Sequence, residues 1–132
     1  MIATRKLVAF SAIVELVTGL ALIGTPIFAG QALLGAELPR LGVAVARCFG
    51  VALLALALAV WPAGDAAGGR SAVRALLLYN TLIALYLTWL GTNWHMAGPL
   101  LWPAVVLHAI VALLLAWSWR TGAPDAPLLR VP

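Results

Sequence analysis

Four times along this 132-residue chain, an apolar run is long enough to cross the roughly 30 Å hydrocarbon core of a bilayer as a helix. The runs cover residues 7–24, 41–61, 71–90 and 99–119. No other feature limits the fold so tightly. Backbone polar groups in hydrocarbon must be satisfied within the protein, so runs of this length are helices that bury against one another. Composition agrees. The chain is 64% hydrophobic and 9% charged, against about 25% charged in a soluble domain. The expected fold is an all-α membrane protein, an antiparallel four-transmembrane-helix bundle filling residues 1–120 as one domain. Arg5 and Lys6 before the first run resemble the start of a signal peptide. The sequence TPIFAG after the run is a poor cleavage site, however, and an acid inside such a run is unfavourable, so it reads as a span.

The connections are short. Residues 62–70 (PAGDAAGGR) are small, polar and glycine-rich, which predicts a flexible turn. Residues 25–40 hold Pro26, Gly30, Gly35 and Pro39 around a short apolar piece at 31–34, a candidate for the interface plane. Ser71 is placed to cap the third span. Pro99 suits the first position of the fourth, with Pro103 one turn in. Residues 121–132 carry three prolines and read as a flexible cytoplasmic tail.

Charge sets the orientation. If the spans alternate, Arg5, Lys6, Arg70, Arg74, Arg120 and Arg130 fall on one side, and Arg40, with Arg47 further in, on the other. The positive-inside rule then puts both termini in the cytoplasm. The tryptophans agree: Trp61, Trp117 and Trp119 close the inner ends, and Trp89, Trp94 and Trp102 the outer ends. The net charge of +4 is therefore a topology signal, and no nucleic-acid partner is expected.

Each span also carries one strongly polar side chain. Measured inward from the outer ends at 1.5 Å per residue, Glu15 lies roughly 13 Å deep, Arg47 roughly 9 Å, Asn80 roughly 16 Å and His108 roughly 13 Å. A carboxylate at such depth costs on the order of 3 kcal/mol unless it is paired or protonated. The expectation is an inward-facing layer in which Arg47 pairs with Glu15 while Asn80 and His108 add hydrogen bonds. Thr18 supports it from one turn beyond Glu15, and Tyr79 and Tyr86 mark another face of the third span. The competing reading is structural: such groups also fix helix register, and Arg47 can instead snorkel to the interface. Cys48, among the small residues of the second span, reads as a packing residue, and His95 as a solvated loop residue. No metal-ligand spacing and no catalytic set is recognisable, so no catalytic residue is assigned.

The Glu15…Thr18-Gly19 pattern, Leu33-Leu34-Gly35, Arg47-x-x-Gly50, Tyr79-Asn80 and Leu101-Trp102-Pro103-Ala104-x-x-x-His108 together resemble small bacterial four-helix membrane proteins of the DoxX-like kind. That resemblance implies a helical bundle, possible association with membrane redox systems, and no established active-site residue. The membrane-embedded Glu15 alone is similar to the first-helix glutamate of small multidrug resistance transporters. The first expectation is a non-enzymatic accessory or assembly subunit of a larger complex in the bacterial inner membrane, with other membrane subunits or further copies as partners. Two alternatives stand beside it. One is proton-coupled transport of a small solute through Glu15. The other is a redox role in which His108 meets a haem or quinone at a subunit boundary.

Overall fold

A computed structural model of the chain describes residues 2–62 and 69–121. Among these residues every regular element is helical: α1 (Ile2–Gly24), α2 (Pro26–Leu34), α3 (Arg40–Val60), α4 (Arg70–Asn93) and α5 (Leu101–Thr121). The helices α1, α3, α4 and α5 are the four expected runs, each long and apolar enough to cross a membrane. The flexible turn and the tail fall almost wholly outside the described residues.

Large apolar side chains cover the outside of these helices. Leu41 is 77% exposed and Phe28 70%, and Leu58, Leu82 and Leu113 are comparably open. The interior instead holds Ser11, Glu15, Asn80 and His108 among Val8, Ala12, Leu53, Leu76 and Leu115. A water-soluble bundle would reverse that distribution, so lipid is the solvent this surface suits.

The helices associate as two close pairs, α1 with α3 and α4 with α5. In the first pair the backbones nearly touch. A Cβ added to Gly19 would lie 2.8 Å from the Gly50 carbonyl oxygen, and one on Gly50 would lie 2.7 Å from that of Gly19. Glycine at both positions is what lets the helices approach this far.

One end of the bundle is closed by α2, a complete helix where the sequence had suggested only an apolar piece at 31–34. Pro26 starts it at a position that needs no N–H partner. Gly35, at φ 71°, ends it with its N–H returned to the Gln31 carbonyl. Its last carbonyls are taken by the connection between α4 and α5. The Gly98 N–H donates to Leu33 O at 3.0 Å, and the Leu100 N–H to Ala32 O at 2.8 Å. At the other end the Thr4 and Ser118 hydroxyls share a 2.8 Å hydrogen bond. There too the Arg70 guanidinium lies 5.1 Å from the centre of the Trp119 ring.

Several helix boundaries differ from the sequence reading, and α1 starts at Ile2, five residues before the expected 7. Gly69 rather than Ser71 precedes α4, and no side chain caps it. That helix runs on to Asn93 because Thr88, Thr92 and Asn93 bond back to carbonyls of the preceding turn, which keeps their polar groups satisfied. Pro99 lies in a turn before α5, so Pro103 occupies the first helical turn, where no intrahelical donor is lost.

Candidate functional site: a polar cluster inside the bundle

Ser11 and Glu15 are one turn apart on α1 and share its buried stripe with Val8, Ala12 and Gly19. Asn80 arrives from α4 and His108 from α5, both buried. The Asn80 side-chain N–H donates to Leu76 O at 2.8 Å and to Ser11 Oγ at 3.2 Å. Its carbonyl oxygen lies 2.7 Å from His108 Nδ1. These contacts settle the proton on the ring. A backbone carbonyl only accepts, so the amide nitrogen must face Leu76 and the amide oxygen must face His108. That oxygen requires a hydrogen on Nδ1, which leaves Nε2 of the neutral ring with a free lone pair. Tyr79 sets its ring edge-on to His108, with centroids 5.9 Å apart and planes at 81°.

Glu15 stands apart from this network. It is 1% exposed, and among the described residues neither carboxyl oxygen has a hydrogen-bond partner. Tyr79 is the side chain that interacts with it.

The expected Arg47–Glu15 pair does not form. Arg47 is exposed, and its Nε–H donates to Ile23 O at 3.2 Å. Ile23 is eight residues beyond Glu15, about 12 Å along α1, in the last turn of a helix whose terminal carbonyls lack intrahelical donors. The guanidinium is satisfied there without crossing the interior. The layer therefore joins Glu15, Asn80 and His108 in one region and leaves Arg47 outside it. Thr18 is exposed, off the stripe that continues to Gly19. Tyr86 also faces outward, stacked on Trp89 at 6.0 Å beside Trp94. Tyr79, expected on another face, belongs to the cluster. Cys48 is exposed rather than buried in the bundle. His95 is exposed, as read, at φ 53° after the end of α4.

The sequence reading missed Ser11. Its signal was present: a hydroxyl four residues before a buried acid lies on the same helix face.

Among the described residues no three His, Cys, Asp or Glu side chains are grouped to hold a metal. A haem on His108 does not fit within this chain, since the ring is 8% exposed and its neighbours Asn80 and Tyr79 come from α4. What the cluster offers is proton chemistry: an unpaired carboxyl, a phenol and an imidazole nitrogen with a free lone pair. No family model matches the chain, and no curated protein or solved structure matches it.

Proposed function

We propose that the chain is a multi-pass protein of a bacterial inner membrane, antiparallel in its four spans and with both termini cytoplasmic, in which Glu15 binds and releases a proton to drive movement of a small lipophilic solute. Its orientation rests on the distribution of Lys and Arg and on the two tryptophan belts. The proton role rests on the unpartnered Glu15 carboxyl. A polar residue kept only for helix register looks like Asn80, with its donors and acceptor matched. A carboxyl buried with neither oxygen matched lowers stability and calls for another reason to be there. The free Nε2 of His108 supplies a second proton acceptor in the same cluster.

A second reading, an accessory or assembly subunit, is favoured by the outer face of α3. Ala44, Cys48, Ala52, Ala55 and Ala59 recur there at helical spacing and are all exposed, so another membrane helix can approach closely. The DoxX-like resemblance fits this reading.

Vesicles containing the purified protein separate the two. A lipophilic cation such as tetraphenylphosphonium serves as the probe and an internal dye follows pH. Proton-coupled exchange in the wild type that Glu15→Gln abolishes supports the first reading. Equal exchange by wild type and Glu15→Gln removes it. Stoichiometric foreign subunits in native mass spectra of gently extracted protein would then support the second.

A further inference from the structure

Arg47 is the polar residue of the expected layer that the cluster leaves out, and its surroundings define a different kind of site. It lies two turns into α3 yet faces outward. Its Nε–H is held by the Ile23 carbonyl at 3.2 Å, which sets the guanidinium at the level of the last turn of α1, next to the interruption between α1 and α2 at Thr25. Among the described residues Ile23 O is its one acceptor. Donation through Nε leaves the two terminal NH2 groups, the end of the guanidinium fork, with four N–H donors unused. Arg40 is seven residues earlier on the same face of α3 and is also exposed. The two cations thus stand about 10 Å apart along one helix face. One turn deeper than Arg47, Val51 is 59% exposed, so apolar surface continues below the charge. A fixed cationic fork with apolar helix surface beneath it matches a phospholipid: the headgroup phosphate takes the fork and an acyl chain covers the helix.

We propose that Arg47, supported by the charge of Arg40, binds the phosphate of a membrane phospholipid at the α1–α3 end of the bundle. The Ile23 carbonyl orients the fork, and arginine is needed there because lysine offers a point charge without paired donors. The site is independent of proton exchange at Glu15.

Native mass spectrometry of protein released from mixed-lipid vesicles tests the proposal. The vesicles contain phosphatidylglycerol, phosphatidylethanolamine and a diacylglycerol that lacks phosphate. Wild type should retain a phospholipid and reject the diacylglycerol. Arg47→Gln should weaken retention about tenfold or more, the scale of losing a charge-assisted hydrogen-bond pair. Arg47→Lys should fall between them. If Arg47→Gln does not fold, the comparison of wild type with Arg47→Lys decides, and equal retention by those two overturns the proposal. Retention of diacylglycerol as strong as that of phospholipid would also overturn it. So would inorganic phosphate binding to delipidated protein as tightly as phospholipid, which would make this an anion site without a lipid.

Discussion

Where α1 meets α3, the contact at the centre is backbone on backbone: Gly19 and Gly50 face each other with no room for a methyl group. Where α4 meets α5, the centre is a hydrogen bond between Asn80 and His108, with Tyr79 edge-on to the imidazole. One seam is specified by shape and the other by polar matching. In a lipid solvent the hydrophobic effect adds little to association between helices, so these are the two means left to hold them together. Ser11 links the seams, reaching from α1 to the Asn80 amide. Glu15, one turn further along α1, faces the polar seam without joining it. The contrast separates residues that build the bundle from the one residue whose presence the packing does not explain.

The largest effects should come from the seam set by shape. Gly19→Val or Gly50→Val forces a side chain into a carbonyl oxygen that cannot move aside, and each should destabilise the protein by about 3 kcal/mol or more. Steric-trap or denaturant unfolding in bicelles would measure it. A Gly50→Val protein as stable as wild type would show that the helices are not in backbone contact.

Removal of the polar node comes next. Asn80→Leu leaves the Ser11 hydroxyl and His108 Nδ1–H without their partner in a dry interior, at a cost of about 2 kcal/mol. Glu15→Gln keeps the shape and removes no hydrogen bond, so its effect on stability should stay within about 1 kcal/mol. The reverse order of these two variants in the same assay would erase the distinction between matched and unmatched residues.

Smaller still is the coupling between Glu15 and Arg47. With the two apart, a double-mutant cycle on Glu15→Gln and Arg47→Gln should give an interaction energy below about 0.5 kcal/mol. A coupling of several kcal/mol would restore the ion pair. The smallest effect is expected at His95, whose φ of 53° suits glycine better than a residue with a Cβ. His95→Gly should change stability by no more than about 0.3 kcal/mol, because the relief at positive φ is offset by glycine's greater freedom in the unfolded chain, read as a shift in thermal unfolding.

Most of the helical architecture was legible in the sequence because lipid leaves so few choices: long apolar runs must be helices, and their ends carry charge, proline and tryptophan. The short helix α2 was harder to see. Its start at Pro26 and its stop at Gly35 were both visible, but a nine-residue helix depends on the backbone bonds it receives from Gly98 and Leu100, more than sixty residues away. The direction in which the polar side chains point was legible only in part. Asn80 and His108 do meet, and Glu15 is buried beside them. The Arg47 side chain turned the other way because a helix-end carbonyl lay within its reach, and residue spacing along separate helices carries no information about such a neighbour. Tyr79 was set on a different face from the layer, although adjacent residues on a helix differ by only about 100° and a long side chain spans that gap.

Infrared difference spectroscopy of the protein in bilayers, with pH as the variable, tests the central claim directly. The wild type should show a carboxyl group that gains and loses its proton reversibly while the helical bands stay unchanged. Glu15→Gln should lack that signal, and Asn80→Leu, where it folds, should retain it. Wild-type and Glu15→Gln difference spectra that coincide across the accessible pH range would contradict the account and make Glu15 a silent part of the packing.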